Sequence, residues 1–242
     1  MDLTSLVAAA IGFAPPIALM LWTLQDYTYP KVERPYFSDP TLFGMFAVGI
    51  VIGVVLYAAS LFVAPAYIIF GFLLEEAVKL MIINLPRFQR RADTPFYAFG
   101  LSAGMAAALA FGAVNRTLAL TGGLDAAAVV IVVAYSVLIA LLNISTGTTI
   151  GMGVARGTPW PFFGQAVVVH LAVVLLLAPF SAISTGGDST IGLVLFAVAL
   201  IFIATYYYFV HRRLLPAYVK EALAKMGGMK PKKARKVRKS KD

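Results

Sequence analysis

The sequence has no cysteine and few charged residues. The absence of cysteine from all 242 residues excludes disulfide scaffolds, zinc–thiolate sites, iron–sulfur clusters and thiol nucleophiles. Charged residues make up 13% of the chain and hydrophobic residues 60%, whereas a soluble domain averages about 25% charged residues. This composition excludes a water-soluble globule and indicates a polytopic membrane protein.

Charged and turn-forming clusters divide the hydrophobic sequence into candidate spans. A spanning helix needs about 20 mostly apolar residues. Seven segments meet that requirement: 4–24, 42–63, 65–84, 95–120, 127–154, 161–183 and 190–210. The boundary at Ala64–Pro65 is the least marked. The sequence therefore predicts an all-α bundle of about seven transmembrane helices over residues 1–213, followed by a basic cytoplasmic tail over 214–242.

Lysine and arginine, which number 20 against 11 acidic residues, collect on one side of the predicted bundle. Basic residues favour short cytoplasmic loops. An N-terminus outside the membrane places most of them inside, together with the tail: Lys31, Arg34, Arg87, Arg90, Arg91, Arg156, Arg212 and Arg213. Only Arg116 is then left near the outer face. We expect an N-out, C-in protein, located in the plasma membrane if the source is prokaryotic.

The tail ends in the basic run KPKKARKVRKSKD. Such a run has too few apolar residues to order itself, so we expect it to be partly disordered. Basic residues near a membrane surface are each attracted to anionic headgroups by about 1 kcal/mol. We expect the tail to contact anionic lipid, and ribosomal or other RNA is the alternative partner.

The third predicted span carries three charged residues, Glu75, Glu76 and Lys79. Ionisable groups inside a membrane are functional candidates because they are costly to place there. Lys79 stands three and four residues after the two glutamates, a spacing at which helical side chains meet. Adjacent residues lie about 100° apart around a helix, so the two carboxylates cannot face Lys79 equally. The second carboxylate then needs a proton, a metal or a partner on another helix.

Three later spans carry polar residues at a depth similar to that of the glutamates. Ser102, Asn143 and His170 lie about 11–16 Å inward from the predicted cytoplasmic ends of their helices, at a rise of 1.5 Å per residue. We expect a shared polar cavity on the cytoplasmic side of the membrane midplane. Taken alone, an intramembrane His or Asn is commonly an interhelical hydrogen bond.

Glycine pairs recur four residues apart in three of the spans, at Gly49–Gly53, Gly100–Gly104 and Gly147–Gly151. Small residues at this spacing let membrane helices approach closely. We assign these pairs to helix packing.

The motif EEAVK lies at 75–79, and it is followed by the GLSAG helix and by the polar residues on two later helices. In these features the sequence resembles the PrsW family of membrane proteases, which are relatives of the CAAX prenyl endopeptidases. The resemblance covers residues 60–185. The segments FAPPIALMLWTL and FYAFGLSAG are also similar to the seven-span anterior-pharynx-defective subunit of gamma-secretase, a noncatalytic relative.

The resemblance implies a site in which Glu75 and Glu76 match the family's glutamate pair and His170 matches a later histidine. In the family these groups bind a metal or activate water for peptide hydrolysis. A divalent metal such as Zn²⁺ would then be held by Glu76 and His170. Lys79, Ser102 and Asn115 complete the set of candidate residues.

Three positions depart from the family pattern. Val114–Asn115 stands where a Glu–Asn pair is frequent, Asn143 replaces a histidine, and Val174 replaces an acidic or amide residue. Hydrolytic zinc sites use three protein ligands, and too few remain if one glutamate acts as general base. Water activated by Glu76, with His170 and Asn143 as hydrogen-bonding groups, is the metal-free alternative.

Two functions remain open at this point. The first is a PrsW-like intramembrane peptidase that cleaves transmembrane proteins near the cytoplasmic side of the bilayer. The second is a noncatalytic scaffold that binds partner transmembrane helices in the same polar cavity. A proton- or ion-coupled transporter is less favoured because the sequence lacks inverted repeats and broken helices.

Overall fold

The computed structural model describes residues 3–32, 35–62, 68–121, 126–181 and 188–227. All regular structure in these residues is helical. The α-helices are α1 Leu3–Leu24, α2 Asp39–Ser60, α3 Ile68–Ile83, α4 Thr94–Thr121, α5 Ala126–Arg156, α6 Pro159–Ser181, α7 Ser189–Phe209 and α8 Leu215–Gly227. A 3₁₀ turn follows α1, and the π-helical segment Val210–Leu214 joins α7 to α8.

Among the described residues, six helices are long and apolar enough to cross a membrane: α1, α2, α4, α5, α6 and the continuous helix that starts with α7. The protein is therefore an integral, multi-pass membrane protein. Helix α3 has 16 described residues, which span about 24 Å and fall short of a hydrocarbon core of about 30 Å. The predicted third span begins at residues 65–67, outside the described part, so the count of seven stays a prediction.

Helix α4 forms the centre of the bundle and packs against α1, α2 and α5. Its most apolar stretch is 83% buried, whereas the corresponding stretches of α1, α2 and α6 are 22% buried. Its sequence is rich in alanine and glycine, which allow neighbouring backbones to approach closely. The helix can therefore be surrounded on several sides.

The glycine pairs lie where helices touch. A Cβ atom added at Gly49 on α2 would overlap the carbonyl oxygen of Leu101 on α4, and one added at Gly104 would overlap that of Phe46. An added Cβ at Gly147 on α5 would overlap the hydroxyl of Ser102. The predicted packing role of these glycines is confirmed. The close approach of α4 and α5 places Ser102 next to the polar residues of α5.

One end of the bundle holds most of the described basic residues. Arg212 binds Asp26 at 2.9 Å and Arg156 binds Glu221 at 3.1 Å, contacts that hold the ends of α1, α5 and the last helix together. We call this the basic end; its arginines are Arg87, Arg90, Arg91, Arg156, Arg212 and Arg213. Their grouping agrees with one-sided placement of basic loops, while the orientation of this end in a membrane stays a prediction.

The predicted boundary at 213/214 falls inside a continuous helix. Helix α7 passes through the π-helical segment directly into α8, which ends at Gly227. The basic run predicted to contact lipid lies at residues 228–242, outside the described residues.

Close contact between α2 and α4 makes Gly104→Ala a test of this architecture. We expect the free energy of unfolding to fall by about 1–3 kcal/mol, because the new methyl group overpacks a backbone contact. Thermal unfolding of the purified protein in detergent measures the change.

The matched control is Gly71→Ala on α3, where an added Cβ meets nothing within 4 Å. This variant should be as stable as the wild type or slightly more stable, since alanine favours helix over glycine. Equal melting temperatures for Gly104→Ala and Gly71→Ala would contradict the close contact.

Candidate functional site

Helix α3 directs its charged residues into the bundle. The side chains of Glu76 and Lys79 are fully buried, and that of Glu75 is 12% exposed. Glu76 and Lys79 share the inward face of α3 with Phe72 and Ile83, as expected for residues spaced three or four apart. Glu75, one residue earlier, lies on the flank of this face.

A single oxygen of Glu76 binds donors from three helices. Its Oε1 accepts hydrogen bonds from Lys79 Nζ on α3 at 2.8 Å, from Thr146 Oγ1 on α5 at 2.9 Å and from His170 Nδ1 on α6 at 2.6 Å. Because an ionised carboxylate only accepts hydrogen bonds, Nδ1 of His170 carries the proton in this bond. The imidazole also stacks on Phe72, with ring centroids 5.2 Å apart, so its orientation is fixed on two sides.

Lys79 lies close to both carboxylates, though unequally. Its Nζ is 2.8 Å from Glu76 Oε1 and 3.4 Å from Glu75 Oε1, and it also donates to Thr146 Oγ1 at 3.1 Å. The flexible lysine stem allows the ammonium group to sit between the two neighbours. One cation is thus shared by two carboxylates.

The donor set of Glu75, Glu76 and His170 fits a divalent cation in type and number. One possible ligand atom of each residue lies within 4.8 Å of the other two, and Glu75 Oε1 and Glu76 Oε2 have no hydrogen-bond partner. Two carboxylates and one imidazole are ligands that Zn²⁺ accepts. The ammonium group of Lys79 already occupies the space beside both carboxylates, so a cation here competes with it.

Asn143 and Ser102 lie beside this cluster, and in the described part of the chain neither side chain forms a hydrogen bond with Glu75 or Glu76. The backbone carbonyl oxygen of Asn143 lies 3.2 Å from Thr146 Oγ1, whose one hydrogen points to the closer Glu76, while the side-chain Nδ2 of Asn143 donates to Ile139 O at 3.3 Å. Ser102 abuts Gly147, one residue after Thr146. Both residues therefore contact α5 next to Thr146 rather than the carboxylates themselves.

The unsatisfied buried atoms concentrate in the predicted polar set. Among the described residues, the buried side-chain atoms without a hydrogen-bond partner are Glu75 Oε1, Glu76 Oε2, Ser102 Oγ and Asn143 Oδ1. A buried polar atom left without a partner costs about 1–3 kcal/mol. These four oxygens are acceptors that water or another polar group can satisfy.

Asn115 does not join the cluster. It lies 13 residues after Ser102 on α4, about 20 Å along the helix axis. The preceding Val114 is buried in a separate apolar cluster with Ala8, Leu118 and Val132. Asn115, a candidate only through the family pattern, therefore lies apart from the glutamates along α4.

Thr146 is the contact that the sequence analysis missed. It both donates to Glu76 and accepts from Lys79. The segment NISTGTTIG, residues 143–151, carries several hydroxyl side chains within one apolar helix, and all of its residues are buried. That polar run was the available signal.

His211 was also not predicted from the sequence as a buried polar residue. It lies in the π-helical segment, buried, with Nδ1 3.0 Å from Tyr207 O and Nε2 3.3 Å from Thr148 Oγ1. Thr148 is two residues from Thr146, so the two hydroxyl groups lie about 200° apart around α5. π-Helical turns are frequent at functional sites.

Comparisons of this chain with protein-family models, with curated proteins and with solved structures found no match. The geometry of the Glu75–Glu76–His170 cluster is therefore the basis for assigning a function.

Because Lys79 pairs with two carboxylates, its removal should have a large effect on the stability of the protein. We expect Lys79→Met to lower the free energy of unfolding by about 3–5 kcal/mol, because it leaves buried carboxylates without a cation. The double variant Lys79→Met/Glu76→Gln should recover part of this loss, since it removes one of the uncompensated charges. Unfolding in detergent measures both.

Lys31→Met is the control, because Lys31 pairs with Asp26 at 2.6 Å but its side chain is 53% exposed. Loss of an exposed pair changes stability by about 0–1 kcal/mol. A Lys79→Met variant as stable as Lys31→Met would contradict the buried ion cluster.

Proposed function

We propose that this protein is a membrane-embedded peptidase of the PrsW type that its sequence resembles. One observation supports the proposal: Glu75, Glu76 and His170 converge from two helices to within 4.8 Å of one another in the interior of the bundle. Two carboxylates and an imidazole at this distance can activate a water molecule for attack on a peptide carbonyl.

The contacts favour different roles for the two glutamates. Glu76 is fully buried and its Oε1 is saturated by three donors, so it acts as a positioning residue that fixes His170 and Lys79. Glu75 is 12% exposed and its Oε1 has no hydrogen-bond partner. The expected base was Glu76; on these contacts, we assign proton abstraction from water to Glu75 instead.

In this scheme, the water oxygen bonds to the peptide carbonyl carbon while its proton passes to Glu75. The same proton then passes to the leaving amide nitrogen as the peptide bond breaks. His170, whose Nδ1 is held by Glu76, presents its other ring nitrogen for hydrogen bonding to water or substrate. A Zn²⁺ ion, if bound, would be held by Glu76 and His170, the ligands left when Glu75 acts as the base, and would polarise the water.

A noncatalytic scaffold is the second candidate, and the enclosure of Glu76 favours it. Its Oε1 is saturated by donors from inside the protein, an arrangement that also serves to tie helices together. The free oxygens of Glu75 and Glu76 would then accept hydrogen bonds from a partner transmembrane helix. This resembles the role of the anterior-pharynx-defective subunit of gamma-secretase.

Cleavage of transmembrane substrates by purified protein separates these functions. We expect Glu75→Gln to lower the cleavage rate 10²–10⁴-fold, the usual effect of losing a general base, without a large loss of stability. Glu76→Gln should lower both activity and stability, because it disturbs Lys79 and His170. Each variant is assayed with and without a chelator.

Glu221→Gln is the matched control, since Glu221 is exposed and pairs with Arg156 at the basic end. It should retain full activity. Loss of activity on chelation would show that a metal is required. Absence of turnover by the wild type across a broad substrate panel, together with a stable co-purifying membrane partner, would favour the scaffold.

We further propose seven spans with the N-terminus outside and the basic end at the cytoplasmic face, in the plasma membrane if the source is prokaryotic. The grouping of arginines at the basic end supports this orientation. The tail would then contact anionic lipid, or RNA in the alternative.

Limited trypsin digestion of sealed, oriented vesicles tests the topology. Trypsin added at the cytoplasmic side should remove the lysine-rich tail, and trypsin at the outer side should leave it intact. A control with detergent-opened vesicles shows that the tail is cleavable in both preparations. Protection of the tail from the cytoplasmic side would overturn the orientation.

A further inference from the structure

A groove of about 430 Å³ lies at the basic end, between the first turns of α2 and the turn that joins α3 to α4. Thr41, Gly44 and Val48 line it on α2, and Arg87 and Phe88 line it on the turn. None of the residues of the Glu75–Glu76–His170 cluster lines it. The groove is therefore a separate feature, with an apolar wall and a basic rim.

Arg87 supplies an unpaired positive charge to this rim. Neighbouring Arg91 is bound to both carboxylate oxygens of Asp93, at 3.0 and 2.7 Å. Arg87 is exposed, lies over the ring of Phe88 at 4.5 Å and forms no ion pair within the part of the chain that the structure describes. A guanidinium group presents five donors in a geometry that matches phosphate, so the rim favours an anionic ligand.

The apolar wall continues from the groove along the outside of α2. An added Cβ at Gly44 meets nothing within 4 Å, so the groove is open at this point. Val48, Val51 and Val55 follow at helical spacing and are 41%, 64% and 60% exposed. In a membrane-spanning helix, such a stripe faces lipid acyl chains.

We propose that this groove binds one anionic phospholipid of the bilayer. Its phosphate would contact Arg87 and the hydroxyl of Thr41, and one acyl chain would lie along Gly44, Val48 and Val51. The groove lies at the end of α2, where the headgroup region begins, and basic pockets at this depth select anionic headgroups. A phospholipid has the required order of groups: a charged head at the rim and an apolar chain along the helix.

Titration of the delipidated protein in detergent with single lipids, followed by native mass spectrometry, tests the proposal. We expect one phosphatidylglycerol molecule to bind per chain at least fivefold more tightly than phosphatidylcholine. Arg87→Gln should weaken the binding of phosphatidylglycerol about fivefold, the effect of one basic residue at a membrane surface. Arg213→Gln removes an exposed arginine elsewhere at the same end and should leave the affinity unchanged.

A second pair of variants tests the apolar wall without changing charge. Gly44→Leu fills the groove and should weaken phosphatidylglycerol binding at least fivefold. Gly164→Leu adds the same side chain at another open helical glycine and should have no effect.

Three results would overturn the proposal. The first is equal affinity for phosphatidylglycerol and phosphatidylcholine, and the second is equal loss of affinity in Arg87→Gln and Arg213→Gln. The third is displacement of the lipid by glycerol phosphate at a comparable concentration, which would identify a site for free phosphate rather than for a lipid.

Discussion

A carboxylate inside a membrane bundle is tolerated only when its charge is met by nearby donors, and the arrangement around Glu76 meets this requirement. Its Oε1 binds Lys79 on the same helix, Thr146 on α5 and His170 on α6. The 16 described residues of α3 are thereby tied to α5 and α6 by polar contacts. Removing the charge at Glu76 would release three donors at once, which makes this residue the point where α3, α5 and α6 depend on one another.

The charge balance of the cluster separates structural from chemical roles. One glutamate paired with Lys79 would be sufficient to tie the helices, and a second carboxylate adds a charge that the same lysine must share. Glu75 is this second carboxylate: its Oε1 is 3.4 Å from Lys79 and accepts no hydrogen bond. Stability alone gives no reason for a glutamate at this position. Its presence is better explained by a task that needs an unsaturated carboxylate oxygen.

Local spacing made part of this site predictable. The three- and four-residue intervals from the glutamates to Lys79 fix their contact within one helix, and a constant rise per residue placed His170 at the correct depth. The polar run 143–151 on α5 was visible in the sequence. The sequence does not show which of its hydroxyl groups contacts Glu76, because that depends on how α5 is rotated about its own axis. Asn115 was included for a different reason, namely its match to the family's Glu–Asn pair, and its distance along α4 places it away from the glutamates.

Access to the cluster is the step on which both proposed functions depend. Glu76 is fully buried and Glu75 is 12% exposed, so an approaching molecule meets Glu75 first. A peptidase needs water and an extended peptide at this flank of α3, whereas a scaffold needs a helix that carries hydrogen-bond donors. A carboxylate oxygen accepts hydrogen bonds from either source. What distinguishes the two functions is therefore whether the donor at Glu75 is a water molecule that reacts or a side chain that remains bound.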